Sequence, residues 1–405
     1  MATPTAPMPR RRWLRRLLLW GAVGAAAALA IAVLLGARIL RQAEQVRFVP
    51  SRAEHGELVM LGDLPVLELH GDPAQRGAAH GRLAAQPIAQ LLALMRWSPS
   101  LVMAQGGDRF SRTLAAIGAE DRRELVALAE ASGCDADQVI AANAIPDSWC
   151  SALVAGASGT RPLMVARNMD FFPELALGRA TVLQIQRGAG PRTYASVGWP
   201  GTVGVISGIN DAGLTVCVLL NHGGPDLPGA EPLPLRVRAL LAHERDVAGA
   251  LRRFAAPAVA SPHYVLIADA ATAAVAWHEP GGMRAAAMAD GWLSASNGGR
   301  DGARASDVRG RRLDECIAAC PADGPDAAGL RAALTASYLR QINAQAMLFV
   351  PARRRLELAR AATSGAACLQ PYLGLDLGPV LDGGPIAALR AEPIPAVAPL
   401  RHYRE

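Results

Sequence analysis

The chain has 405 residues, 51% hydrophobic and only 4% aromatic, which is ample for one large core or two modest ones. Charged residues make up 19%, below the usual quarter or so, so the chain is not of the disordered class. The net charge is +6, and Arg10, Arg11, Arg12, Arg15 and Arg16 supply nearly all of it; the balanced remainder argues against a nucleic-acid face.

From the N-terminus, residues 1–16 read as a basic cytoplasmic tail. Leu17 to Ala37 carries no charge and is long enough to cross a bilayer. Five arginines precede it, and only Arg38 and Arg41 follow closely. The positive-inside rule then places the N-terminus in the cytoplasm and the body on the periplasmic or extracellular side of an inner membrane. A cleaved signal peptide is the competing reading. Leu35-Gly36-Ala37-Arg38 offers no convincing small-x-small cleavage site, so an uncleaved single-pass anchor is expected.

Residues 38–62 read as a stalk and entry strand, and Leu64 to Leu69 as a short strand. Asp72 before Pro73 starts a helix predicted to run toward Met95. A second helix is expected from about Glu120 to Ser132, stopped by Gly133. Asp135-x-x-Gln138 resembles a capping box for a third, leading toward Asn143. Residues 63–149 are therefore read as one mostly helical small chain, propeptide-like.

The texture changes from residue 150 onward, the catalytic chain 150–405. Short strands are predicted at 153–155, 163–166, 181–186, 193–197, 203–206 and 214–220, separated by Gly, Pro and Asn turns. Helices follow at 235–243 and 247–254, with Asp246 as cap. A hairpin is expected around Ala270-Ala271-Thr272, then a strand at 293–296 and helices near 311–319 and 327–335. A last hairpin joins 346–350 to 356–361. Strands, a helical block and strands again suggest stacked sheets with outer helical layers, an α+β class.

The six cysteines are Cys134, Cys150, Cys217, Cys316, Cys320 and Cys368. Their spacing matches no zinc site, and His80 and His222 have no partners spaced for a metal, so no metal and no cofactor are expected. Cys316 and Cys320, four apart on a predicted helix, are candidates to meet. Cys217, in Leu214-Thr215-Val216-Cys217-Val218-Leu219-Leu220, reads as core packing.

Cys150 sits in Asp147-Ser148-Trp149-Cys150-Ser151, and Arg167-Asn168-Met169-Asp170 ends the next apolar run. Gly71-Asp72-Pro73 through His80-Gly81 lies upstream, with Glu124 to Gly133 and Asn143 leading to the cysteine. Gly208-Ile209-Asn210-Asp211-Ala212-Gly213-Leu214, Asn221, Asn297 and Ser306-x-x-Arg309-x-x-Arg312-Leu313 lie downstream. In order and spacing this set resembles the acyl-CoA:6-aminopenicillanic acid acyltransferase family, cysteine N-terminal-nucleophile hydrolases related to choloylglycine hydrolase and acid ceramidase. The resemblance covers roughly residues 64–375. It implies a four-layer α-β-β-α sandwich, here preceded by one transmembrane helix, and self-cleavage between Trp149 and Cys150.

The chemistry of the residues fits that implication. The base for such a thiol is the α-amine of the cysteine itself, whose unperturbed pKa of about 7.7–8.0 lies close to the thiol's value of about 8.5. No histidine neighbours Cys150 in sequence, which speaks against a classical Cys-His protease. By the resemblance, Asp170 orients the new ammonium and Arg167 favours the thiolate. Asn221 supplies an oxyanion donor, Asn297 is a second active-site asparagine, and Arg309 is the later arginine near the nucleophile. The competing readings are a surface Arg167–Asp170 pair at a strand end and a turn asparagine at 221. Arg304, Arg311 and Arg312 leave the register of Arg309 open.

The implied substrate is a small acyl-amide with an apolar acyl group, with Trp149, Phe171, Phe172 and Trp199 as aromatic pocket candidates. The two chains are expected to stay associated after cleavage. A lipid-acting esterase of the same fold and an uncleaved, non-catalytic binding module are the alternatives.

Overall fold

The computed structural model describes residues 20, 21, 24, 45–95, 108–144, 149–172, 174–222, 230–255, 262–320, 324–363 and 365–400. The expected tail 1–16 and nearly all of the expected anchor 17–37 lie outside these. Among the described residues no helix is long and apolar enough to cross a membrane.

Two sheets dominate. One has ten strands, in the spatial order 51–53, 56–61, 64–69, 182–186, 194–198, 207–210, 215–220, 263–268, 273–279 and 282–287. All its pairings are antiparallel except Leu64–Leu69 against Val182–Gln186, where the chain returns after the helical region. The other has seven antiparallel strands, in the order 292–296, 149–155, 164–170, 343–350, 355–360, 372–376 and 390–394.

The central strands are buried on both faces, and each face has its own core. Along Trp149–Ala155, Cys150, Ala152 and Val154 join the apolar cluster between the sheets, with Cys217, Leu266 and Phe349. Leu153 and Ala155 point the other way, onto Leu313, Leu330 and Leu334 of the helices Val308–Ala318 and Ala327–Ser337. This is the period-two alternation of a strand between two layers. On the outer side of the ten-stranded sheet lie the helices Pro73–Leu83, Leu233–His243 and Val247–Phe254. The layer order is helix, sheet, sheet, helix, an α+β architecture as expected.

The helical region before residue 149 is built as its sequence indicates. Asp72 accepts from the Gln75 backbone while the Gln75 side chain accepts from Asp72 N–H, a complete capping box with Pro73 at the first helical position. The predicted single helix to Met95 is two, Pro73–Leu83 and Ala85–Met95, joined at Ala84. Helix 73–83 lies against Ala119–Ser132 so closely that a Cβ at Gly77 would sit 2.1 Å from the Glu124 carbonyl oxygen, and one at Gly81 would sit 2.5 Å from that of Leu128. Gly133, at φ +68°, ends the second helix in the left-handed conformation.

Some expected boundaries are corrected. Residues 203–206 form a loop, and the strand there is Ser207–Asn210. The strands around the cysteine and the Arg-Asn-x-Asp run are longer than predicted, Trp149–Ala155 and Met164–Asp170, because both are buried on two faces and polar residues continue the ladder. The hairpin at the end of the chain gains two further strands, Tyr372–Asp376 and the edge strand Arg390–Ile394. No disulfide forms among the described residues. Cys320 Sγ instead lies 3.2 Å from the Cys316 carbonyl oxygen.

Candidate active site

The site forms where the seven-stranded sheet meets the ten-stranded one. Strands 149–155 and 164–170 pair antiparallel with Cys150 opposite Met169. Arg167 and Asp170 are an odd number of residues apart, so they leave the strand on opposite faces. Both are wholly buried, which excludes a surface ion pair at a strand end.

On the inter-sheet face stand Cys150, Arg167 and Met169. Arg167 is the largest fully buried side chain. Its Nη2 donates to Cys150 Sγ at 3.0 Å and to the Val218 carbonyl at 2.8 Å. Its Nη1 donates to the Ile206 carbonyl at 2.5 Å and to Ser207 Oγ. The fork is thus fixed by carbonyls of the opposite sheet and presents one amino group to the thiol. Met169 Sδ lies 3.7 Å from Cys150 Sγ. Cys217 faces the same guanidinium, but burial pushes its thiol up to about 11. That makes it a protonated, inert neighbour near neutral pH.

On the helix-facing side stand Ser151, Asn168 and Asp170. The Asp170 carboxylate accepts from Arg309 Nη2 and, at 2.7 Å, from Asn343 Nδ2. Burial pushes this carboxyl up, against the guanidinium and the amide that hold it down. Arg309 sits in the first turn of Val308–Ala318 and is fixed by Nε donating to the Ser337 carbonyl at 2.6 Å. Its Nη1 donates to Asn297 Oδ1 at 3.0 Å. Among its neighbours, Arg304 and Arg311 bond local carbonyls at 289, 292 and 306 and Arg312 lies 3.5 Å from the Ala336 carbonyl, whereas Arg309 reaches Asp170 and Asn297.

Asn297 joins the two faces. Its Oδ1 accepts from the Cys150 backbone N–H at 2.7 Å, and its Nδ2 donates to the Leu220 carbonyl at 2.8 Å. Asn297, rather than Asp170, is therefore the side chain at the nitrogen expected to become the α-amine; Asp170 holds Arg309, which bonds the same Asn297 oxygen. Asn221 follows the strand Thr215–Leu220, its backbone N–H donating to the Pro262 carbonyl at 2.9 Å. Next to it, His222 N–H donates to the Asn297 carbonyl at 3.0 Å, which brings the chain at Asn221 close to Asn297. The His222 ring lies against Trp149, centroids 4.3 Å apart.

Sequence reasoning missed Asn343, Ser151, Ser207 and Ser337, whose polar groups complete the cluster. For Ser151, Ser207 and Asn343 only the polarity of otherwise buried strands could have flagged them; Ser337 ends the helix Ala327–Ser337 and carries no such signal. Among the described residues no cluster of metal-ligating side chains is found.

Beside the site lies a narrow apolar cavity of about 50 Å³. Ile88, Leu91 and Met95 line it from the small-chain side, and Phe171, Trp199 and Ile206 from the other. Of the four aromatic candidates, Phe171 and Trp199 line this cavity; Phe172 is exposed, and Trp149 is half exposed against His222.

No curated protein matches the chain in sequence. Among solved structures, an N-acylethanolamine-hydrolyzing acid amidase ortholog from Caenorhabditis elegans aligns at a TM-score of 0.44 and 15% identity, covering 50% of this chain and 93% of that one. Penicillin V acylase from Agrobacterium tumefaciens aligns at 0.40 and 14%, covering 62% and 100%. A conjugated bile acid hydrolase mutant from Clostridium perfringens aligns at 0.35 and 10%, covering 62% and 99%. At these identities and scores the likenesses fix neither substrate nor residue roles. The family model for acyl-coenzyme A:6-aminopenicillanic acid acyl-transferase matches residues 155–291, a span that contains Arg167, Asp170 and Asn221 and begins just after Cys150. Over that span, about a third of its length, the chain is similar to the acyl-coenzyme A:6-aminopenicillanic acid acyl-transferase family.

Proposed function

We propose that the protein is a cysteine N-terminal-nucleophile amide hydrolase or acyltransferase that matures by cleaving its own Trp149–Cys150 bond. The observation that carries the reading is the double engagement of Cys150, with Arg167 Nη2 on its sulfur and Asn297 Oδ1 on its nitrogen. A structural cysteine in a core strand needs no guanidinium on its sulfur, though its buried N–H would still need an acceptor.

In maturation the Cys150 sulfur attacks the Trp149 carbonyl carbon. The C–N bond breaks, the nitrogen takes the thiol proton, and a thioester joins Trp149 to Cys150 Sγ. Water then hydrolyses the thioester, leaving a carboxylate on Trp149 and a free thiol and α-amine on Cys150. In turnover the amine takes the thiol proton as sulfur attacks the substrate carbonyl, and returns it to the departing amine. Arg167 stabilises negative charge on sulfur. Asn221 donates to the oxyanion of the tetrahedral intermediate. Asn297 holds the α-amine, and the Asp170–Arg309 pair fixes Asn297. Water or a second amine takes the acyl group from the thioester.

The apolar cavity supports an apolar acyl group as substrate. Anchoring through Leu17–Ala37, with the catalytic body outside the cytoplasm, belongs to the same proposal. Its support is the arginine asymmetry of the sequence alone. The intact mass of purified protein tests the core of the reading. A chain beginning at Cys150 in the wild type, and an uncut chain in Cys150→Ala, are expected. An uncut wild type with no turnover would point to a binding module instead. Because the cavity would serve a lipid ester equally well, matched ester and amide substrates separate an esterase from an amidase.

A further inference from the structure

The loop 199–204 forms one wall of the apolar cavity, and the chain before the cleavage point grips its backbone. Asn143, on the helix Ala136–Ala144, accepts at Oδ1 from Val203 N–H at 2.6 Å and from Gly204 N–H at 3.2 Å. Its Nδ2 donates to the Gly201 carbonyl at 2.9 Å and to the Val139 carbonyl at 2.9 Å. His80, on the helix Pro73–Leu83, accepts at Nε2 from Gly201 N–H at 3.0 Å. Both side chains are almost fully buried. Burial lowers the His80 pKa to about 4, so the imidazole is a neutral acceptor near neutral pH.

The loop has no slack at this point. Gly201 is at φ +84°, and a Cβ there would lie 3.3 Å from Ile88 of the cavity wall. The cavity is about 50 Å³. A small shift of the loop therefore decides whether an apolar chain fits. Within the catalytic chain, Gln184 Nε2 donates to the Trp199 carbonyl at 3.3 Å and to the Thr202 carbonyl at 3.1 Å. The side-chain bonds to residues 201, 203 and 204 come from Asn143 and His80.

We propose that Asn143 and His80 are positioning residues of the small chain that set the 199–204 loop, and through it the apolar acyl chains the site accepts. This rests on the amide-hydrolase reading. It adds that acyl selectivity is written by residues on the far side of the cleavage point: Asn143 also lines the cavity, whereas His80 acts through Gly201.

The test has two arms, both on the full-length protein. In the first, a fluorescent dodecanoic acid analogue is titrated onto Cys150→Ala carrying Asn143→Ala, Asn143→Asp, His80→Leu or His80→Gln. In the second, the wild-type cysteine with the same four changes is assayed on coumarin amides from acetyl to hexadecanoyl. Losing Asn143 should weaken analogue binding about tenfold, the size of one buried hydrogen bond. It should raise KM on the preferred acyl chain by a similar factor and leave kcat and acetyl-amide turnover within about twofold. His80→Gln keeps an acceptor for Gly201 N–H and should retain the wild-type profile, whereas His80→Leu should shift it. Asn143→Asp, keeping two of the four bonds, should fall between. An unchanged chain-length profile, an equal kcat loss on every chain, or no analogue binding to Cys150→Ala would overturn the proposal. Should Asn143→Ala or His80→Leu not fold, Asn143→Asp against His80→Gln decides by the same readouts. If the wild type turns over no amide while binding still follows the predicted order, the amidase reading fails and the positioning role stands.

Discussion

The backbone N–H of Cys150 and the guanidinium of Arg309 donate to the same oxygen, Asn297 Oδ1, at 2.7 and 3.0 Å. In the proposed function, cutting the Trp149–Cys150 bond would turn that nitrogen into the amine that serves as base. An amine sharing an acceptor with a fixed cation is biased toward its neutral form, below the usual α-amine value of about 7.7–8.0. Asn297→Asp replaces the neutral oxygen with a carboxylate and reverses the bias. The acidic limb of the kcat/KM profile should then move to higher pH by about one unit or more, the size of one nearby charge. Pre-steady-state assays of the processed variant across pH 5 to 9 measure it. An unmoved limb would mean that Asn297 only shapes the strand end.

Asn221 is expected to act on the transition state. Its strand ends beside Asn297, and the oxyanion exists only in the tetrahedral intermediate. Asn221→Ala should lower kcat by about 10²–10³ while KM moves little. The opposite split, a raised KM at unchanged kcat, would make Asn221 a substrate-binding or turn residue.

Much of this arrangement is legible in the sequence, and the losses have physical causes. Cys150, Arg167, Asp170, Asn297 and Arg309 lie in one connected cluster. The helical region is readable from local signals such as the Asp72–Gln75 box and Gly133. The division of labour is not. Arg167 and Asp170 are three apart in sequence, and only the strand's pleat sends one to the thiol and the other to Arg309. Asn343 reaches Asp170 from a strand 173 residues away along the chain, a pairing no local pattern encodes. The loop 199–204 escapes sequence reading for a related reason. The run from Val203 to Ile206 is as apolar as a strand, but Val203 packs with the cluster of Ile88, Leu125 and Leu235 and Val205 and Ile206 with the main core, and the strand begins only at Ser207.

Beside the pairing of strands 64–69 and 182–186 and the Asn143 and His80 bonds, one buried carboxylate should help hold the two chains together after cleavage. Glu124 Oε2 accepts from Arg76 at 2.7 Å within the small chain and from Arg238 at 2.6 Å in the catalytic chain. Arg238 also bonds Asp121 at 2.8 Å and the Tyr194 hydroxyl at 3.0 Å. Glu124→Gln leaves two buried cations poorly compensated, at a cost of about 3–5 kcal/mol. Processed Glu124→Gln should lose its small chain on gel filtration under conditions where the wild type keeps it. Co-elution of both chains in the variant would shift the burden to the apolar contacts.

His80 gives the fold a defined acid sensitivity. In the unfolded chain its imidazole takes a proton near 6.5, whereas in the folded protein burial delays this to about 4, against the opposing charge of Glu124. Between these values the unfolded state binds the extra proton, so the His80 contribution is fully present above about 6.5 and is lost as the pH falls toward 4. The full difference corresponds to about 3 kcal/mol at most. The physical event is plain: a protonated Nε2 can no longer accept from Gly201 N–H, so the 199–204 loop loses one of its clamps. Denaturant midpoints of unprocessed Cys150→Ala with and without His80→Gln, taken from pH 7.5 down to 4.5, isolate this group from the buried carboxylates, which both proteins share. The histidine protein should lose stability faster over that interval, with a difference of about one proton bound on unfolding. Parallel curves would show that His80 is not the titrating group and that the acid response lies elsewhere in the fold.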